Sequence, residues 1–179
     1  MSVMTADDVR AFLALMEDHG IDVWLDGGWA VDASLGCQTR RHSDVDIVIE
    51  ERYVADAVSA LQVAGYAPVF RPDTRACNFV MGDSAGLQVD FHVIVLDEDG
   101  HGIYGPPENG QVYPAEALAG TGAVGGRAVK CTTPEWLVRS HTGYQLDETD
   151  WSDVSALCER FGIPIPDEYA RFGKGSCER

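Results

Sequence analysis

The segment Trp24-Leu25-Asp26-Gly27-Gly28-Trp29-Ala30-Val31-Asp32 is followed, after a short interval, by His42-Ser43-Asp44-Val45-Asp46-Ile47. A strand that ends in Gly27-Gly28 and opens a helix lets the backbone approach a polyphosphate closely and turns helix N-terminal amides toward it. Asp44 and Asp46 stand two residues apart in a β-branched run. Both side chains therefore leave one face of a strand, while Val45, Ile47 and Ile49 leave the other. Two carboxylates on one face suit a hard, oxygen-seeking cation such as Mg²⁺ carrying a nucleoside triphosphate. Further along, Asp90 falls on the polar face of a strand spanning 87–95, with Gln88, His92 and Ile94. Leu87, Val89, Phe91, Val93 and Val95 take the opposite face. If the two strands lie together, Asp44, Asp46 and Asp90 surround one or two Mg²⁺ ions that bridge phosphates and polarise the group under attack. Asp90 has a second candidacy, as the base that takes a proton from an acceptor hydroxyl.

Each of these features has a bland counterpart. A lone Asp-x-Asp usually caps a turn and faces solvent, and an isolated Gly-Gly is usually a tight turn. The order Gly-Gly, Asp-x-Asp, Asp90 favours phosphate and metal chemistry over both. Arg40-Arg41-His42 is the only dense basic cluster. Its arginines are either a solvated pair or include one bidentate phosphate contact, and His42 either bonds phosphate or fixes the loop. His92 reads as a structural neighbour, because carboxylate sites for Mg²⁺ seldom recruit imidazole. Trp29, Trp136 and Trp151 have the choice of stacking on a base or packing, with packing favoured for Trp151. The polar stretch 141–150 either lines an acceptor pocket or is an exposed connection.

The elements that must position these groups follow from pattern. Thr5 to Asp8 resembles a capping box before Val9, Phe12, Leu13 and Met16, so a first helix runs to Asp18 and stops at Gly20. Strand 21–25 leads through Gly27-Gly28 into helix 29–35, closed by Gly36. Strand 45–49 is central, and Val54, Ala57, Val58 and Leu61 mark a helix over 51–64. Strands follow at 67–70, 78–81 and 87–95, the last two joined by a hairpin-like turn. Residues 100–114 read as an ordered loop near the site, and Gly125-Gly126 as a turn before a strand through Val129. Thr133-Pro134 opens a helix to Gln145, and Asp150 caps another over 151–161. The segment 173–179 reads as frayed. The fold class is α+β, a mixed β-sheet flanked by helices with C-terminal helices. Residues 1–130 form the main domain and 131–179 a helical segment packed on the same unit.

Composition narrows the partners. At 179 residues, 45% hydrophobic and 23% charged, the chain can bury one sizeable core. No apolar run approaches the roughly 20 residues that span a bilayer. Asp7, Asp8 and Arg10 interrupt the first apolar stretch, so no signal peptide is read and a cytoplasmic location is expected. The five cysteines are scattered without a Cys-x-x-Cys pair, against a zinc site or a disulfide framework. A net charge of −16 repels nucleic acid and favours a cationic small molecule. The small size makes a homodimer attractive.

These motifs resemble the antibiotic nucleotidyltransferases of the DNA polymerase β-like superfamily, most closely the small lincosamide nucleotidyltransferases. The likeness extends to Asp90-Phe91-His92-Val93-Ile94, Pro107-Glu108-Asn109-Gly110 and the 141–150 segment. The first two segments are also similar to aminoglycoside nucleotidyltransferases. The resemblance implies a nucleotidyltransferase fold and transfer of a nucleoside monophosphate, commonly from ATP, to an antibiotic hydroxyl, with pyrophosphate released. It implies that Asp44 and Asp46 bind Mg²⁺, that Asp90 completes the metal site or acts as base, and that Gly27, Gly28 and Arg40 lie near the phosphates. An aminoglycoside or another natural product is the alternative acceptor. A non-catalytic, antitoxin-like nucleotide-binding protein is the reading from a different class, and three convergent carboxylates argue against it.

Overall fold

The computed structural model describes residues 3–106 and 110–172. Helix α1, Ala6–Asp18, starts at the expected capping box: Thr5 Oγ1 accepts from the Asp8 amide and the Asp8 carboxylate accepts from the Thr5 amide. Strand β1, Val23–Asp26, leads directly into α2, Gly27–Leu35, so the two glycines form the first turn of the helix. Gly36 ends it at φ +76, a left-handed cap that glycine adopts without steric cost.

Next come β2, Asp44–Glu50; α3, Glu51–Val63; β3, Ala67–Val69; β4, Asn78–Gly82; and β5, Gln88–Leu96. The stretch expected to be a loop contains a short hairpin, β6, Gly102–Tyr104, and β7, Gln111–Tyr113. Its strands of three residues are too short to show a period of two. Residues 107–109 of the quoted Pro-Glu-Asn-Gly motif lie outside the described residues, as does 173–179. A hairpin of β8, Gly120–Val124, and β9, Arg127–Cys131, stands where only its second strand was expected. Helix α4, Pro134–Ser140, ends five residues earlier than its pattern suggests, with Gly143 at φ +85 beyond it. Helix α5, Glu148–Phe161, is capped by Asp147, not Asp150. Asp150 closes the same capping box from the third helical position.

The strands form one mixed sheet in the order β3-β4-β5-β2-β1-β9-β8. β2 and β5 are parallel, β1 and β2 antiparallel, and β6 continues along the β5 edge that β4 occupies. One face buries Val45, Ile47, Ile49, Val89 and Phe91 against α1 and α3. The same core includes Leu137, Val138, Val154 and Leu157, so α4 and α5 share it with the sheet. The opposite face carries a smaller cluster of Trp24, Val48, Ile94, Tyr113 and Leu118. Ile94 is thereby fully buried on the face expected to be polar, whereas Val95, expected in the core, is half-exposed at the hairpin.

No helix among the described residues is long and apolar enough to cross a membrane. Cys37, Cys77, Cys131 and Cys158 are free thiols.

Because Leu157 is fully buried in the shared core, Leu157→Ala is expected to cost about 3 kcal/mol. Urea unfolding followed by circular dichroism should still show one transition at lower denaturant. Separate transitions for the C-terminal helices and the sheet would refute the shared core.

Candidate active site

Register places the acidic residues. Asp26 pairs with Asp46 across the antiparallel β1–β2 ladder, and Asp46 pairs with Asp90 across the parallel β2–β5 ladder. Three carboxylates thus stand abreast on neighbouring strands, on the face opposite the large core. Asp44 aligns with Gln88, one pleat away, and accepts from Ser43 Oγ at 3.1 Å. The structure therefore brings Asp44, Asp46 and Asp90 together and adds Asp26, which lies inside the first motif but was given no role from sequence.

Asp26 is committed to the scaffold. Its buried carboxylate accepts from Thr132 Oγ1 at 2.9 Å and Tyr113 OH at 3.1 Å, and lies 3.1 Å from His92 Nδ1. Burial pushes this carboxyl up, but the His92 pairing and the Thr132 and Gly27 hydrogen bonds outweigh it and hold Asp26 below the usual range. Burial would lower His92, yet Asp26, with Asp46 and Asp90 nearby, lifts it to about 9. His92 is thus a structural neighbour of the carboxylates.

Asp46 has the opposite balance. Burial raises it, and Asp44, Asp26 and Asp90 add to the effect against the opposing His92, bringing it to about 7. Gly27, at φ +53, sits so close that a side chain there would collide with the Asp46 carboxylate. Asp90 is also raised by burial, opposed by His92 and Arg71. Its Oδ2 accepts from Arg71 Nη1 at 3.2 Å, while Oδ1 is buried without a partner. An unpaired buried carboxylate oxygen beside a second raised carboxyl is a donor set short of positive charge, and it fits a divalent cation. Among the described residues, no three His, Cys, Asp or Glu side chains already close into a metal cage.

The basic cluster is tied down. Arg40 donates through Nε to both Asp153 oxygens at 3.1 Å and through Nη2 at 2.9 Å. His42 is buried, bonds Asp32 through Nε2 and packs on Trp29 at 4.6 Å. Both reach the space beside Gly28, where a Cβ would lie 2.7 Å from His42 Nδ1 and collide with Arg40. Arg41 is exposed. Trp29 is buried, and Trp151 stacks on Phe172 at 6.0 Å, so both pack. Trp136 leans on Tyr113 at 4.8 Å. Part of the 141–150 stretch, Gly143 to Leu146, lines an open depression of about 450 Å³ with Glu168 and Arg171.

Sequence reasoning missed Asp26, Arg71 and Asp153. Asp153 had a signal: with Val154, Leu157 and Cys158 it falls on the buried stripe of α5. The aminoglycoside-2''-adenylyltransferase family model matches residues 8–157. The chain belongs to this family.

A lincosamide resistance protein of Staphylococcus haemolyticus is 29% identical over 155 residues, covering 86% of this chain and 94% of that protein. A 2''-aminoglycoside nucleotidyltransferase of Escherichia coli is 23% identical over 145 residues, covering 80% and 77%. Among solved structures, the lincomycin-bound lincosamide antibiotic adenylyltransferase LnuA superimposes with a TM-score of 0.78 at 27% identity, over 91% of this chain and all of that one. The protein is an enzyme of the antibiotic nucleotidyltransferase family, with the open mixed sheet of LnuA.

The crowded carboxylates set a pH dependence. Asp46 stands at about 7 in the fold against an ordinary 3.8, so the folded chain holds more protons than the unfolded one in that interval. Its stability contribution falls as pH rises from about 4 to 7. Asp46→Asn should therefore melt higher than the parent at pH 8 without added metal, by about 5 °C for a gain near 2 kcal/mol. The gain should shrink toward pH 4 in scanning calorimetry. An equal or lower melting temperature at pH 8 would contradict the electrostatic account.

Proposed function

We propose that the enzyme transfers AMP from Mg²⁺-bound ATP to a hydroxyl of a lincosamide and releases pyrophosphate. The observation that carries the reading is the alignment of Asp46 with Asp90, one raised by burial and the other with an orphaned oxygen, beside a helix that opens on two glycines. Lincosamide is favoured over aminoglycoside because the lincosamide resistance protein matches at higher identity over more of both chains.

In this reading Asp44, Asp46 and Asp90 would hold the cation. Mg²⁺ would supply charge neutralisation and polarisation of the phosphate. The first turn of α2 would bring the Gly27 and Gly28 backbone close to the phosphates, and the N-terminal end of a helix favours anions. Arg40 and His42 line the phosphate end, Arg40 oriented by Asp153 and His42 by Asp32.

The acceptor oxygen bonds to the α-phosphorus while its proton passes to an Asp90 carboxylate oxygen. The bond from that phosphorus to the bridging oxygen breaks, and pyrophosphate leaves with the electron pair. Positioning and charge stabilisation supply most of the acceleration.

Residues 1–130 carry the transfer chemistry in this scheme, and 131–179 brace it through Asp153. The net charge of −16 suits a cationic antibiotic and disfavours nucleic acid. The reaction belongs in the cytoplasm, where ATP is available.

Mass spectrometry of lincomycin, clindamycin and an aminoglycoside panel, incubated with enzyme, Mg²⁺ and each nucleoside triphosphate, tests the reading. An adenylyl-sized gain on a lincosamide is expected, with a loss of at least about 100-fold in Asp90→Asn if that group is the base. A gain confined to an aminoglycoside would reassign the acceptor. No gain on any antibiotic, despite nucleotide binding, would remove the resistance role and leave a biosynthetic acceptor as the alternative.

A further inference from the structure

The row of carboxylates has a cation of its own in place. Arg71 follows the edge strand β3, and its backbone is locked in a turn: its amide donates to Thr74 Oγ1 at 2.8 Å and its carbonyl accepts from the Thr74 amide at 3.0 Å. From this fixed base the guanidinium reaches over the sheet to Gln88 Oε1 at 2.7 Å and Asp90 Oδ2 at 3.2 Å. Among the described residues it is the only arginine paired with Asp44, Asp46 or Asp90; Arg40 bonds Asp153 and the Arg41 carbonyl instead.

The two arginines differ in how firmly they are held. Arg40 makes three hydrogen bonds to a carboxylate that is 2% exposed, whereas Arg71 makes one, at 3.2 Å, to a carboxylate that is 15% exposed, and its other bond goes to the neutral Gln88. A weakly held, forked cation over a carboxylate that awaits more positive charge is suited to exchange partners.

We propose that Arg71 is a stand-in cation that occupies Asp90 in the free enzyme and transfers to the triphosphate when metal and nucleotide enter. The proposal rests on the metal-dependent reading above. Before binding, Arg71 fixes the orientation of Asp90 through the Gln88–Arg71–Asp90 bridge and reduces repulsion among the carboxylates. A divalent cation beside Asp90 repels the guanidinium. The phosphate oxygens that arrive with the metal offer a new anionic partner, which can accept a bidentate arginine contact. Arg71 thus competes with free metal and cooperates with nucleotide-bound metal, a combination that a purely structural ion pair does not give.

The test uses two binding measurements on the full chain: Mn²⁺ alone, followed by electron paramagnetic resonance, and Mg²⁺ with α,β-methylene-ATP, followed by calorimetry. Arg71→Gln should bind Mn²⁺ at least threefold more tightly than the parent and the nucleotide analogue at least tenfold more weakly. Arg71→Lys keeps the charge without the fork, so its losses should be intermediate and guard against a folding defect. Mn²⁺ affinity unchanged or weakened in Arg71→Gln, or analogue affinity unchanged, overturns the exchange. Parent enzyme that takes up no Mn²⁺ even with the analogue present overturns the metal reading itself, and the proposal with it. Asp46→Asn reports which has failed, because it should abolish Mn²⁺ uptake only if the carboxylates form the metal site.

Discussion

Four carboxylates share one end of one sheet face, and their mutual repulsion is the constraint around which the neighbouring structure is arranged. Strand pairing sets Asp26, Asp46 and Asp90 side by side, with Asp44 one pleat away. The spacing between paired strands is about 5 Å, close enough for like charges to raise one another when solvent is limited. The fold relieves this strain unevenly. Asp26 receives His92, Thr132 and Tyr113 and stays ionised, whereas Asp46 has no comparable partner among the described residues and rises to about 7. Stability is therefore given up at the carboxylate in the middle of the row, a trade expected where function needs unbalanced charge.

The same constraint explains why the site depends on distant segments. Residues 36–43 contain no regular secondary structure, yet they deliver Arg40 and His42 to the start of α2. Asp32 holds His42 and also accepts from the Thr39 amide at 2.9 Å, so the helix fixes the chain that follows it. Asp153, on a helix more than a hundred positions later, fixes Arg40. Removing one partner of such a buried pair strands a charge, which typically costs about 3–5 kcal/mol. The C-terminal helices consequently act on Arg40 and the start of α2 electrostatically as well as through the core.

How far the sequence revealed this differs by type of information. Gly27-Gly28, Asp44, Asp46 and Asp90 were legible because each is a local pattern: a glycine turn or an alternation with period two. The α1 capping box, α3 and the central strands were legible for the same reason. Pairing across the chain was not. Nothing near Asp26 announces Thr132, and nothing near Arg71 announces Gln88. Short elements also escaped, since β6 and β7 have three residues each and cannot show a periodicity. The end of α4 was overestimated because residues 141–145 contain no proline, whereas the chain leaves the helix at His141, where the Ser140, His141 and Thr142 side chains bond the carbonyls of the last turn. At α5 two aspartates three apart both belong to the capping box, so composition alone could not choose the cap.

The two halves of the site are held by different means, and this bears on how specificity can vary. The half around Gly27 and Gly28 is fixed by backbone register and by glycines whose space is already filled by Asp46, Arg40 and His42. Almost any side chain at those glycines collides, so this half has little freedom. The opposite side is built on a small aromatic cluster: Tyr104 meets His92 edge-on at 5.8 Å and Tyr113 at 6.2 Å, and Trp136 leans on Tyr113. The β6–β7 hairpin that carries the two tyrosines joins the sheet through only three pairs with β5. A three-residue ladder can shift or lengthen at much lower cost than β2 or β5, whose pairing sets the carboxylate register. Tyr113 nonetheless links the two halves, because its hydroxyl bonds Asp26 beneath the carboxylates. Changes at the hairpin can reshape this aromatic wall, but those that displace Tyr113 also disturb the buried ion pair that keeps the remaining charges in place.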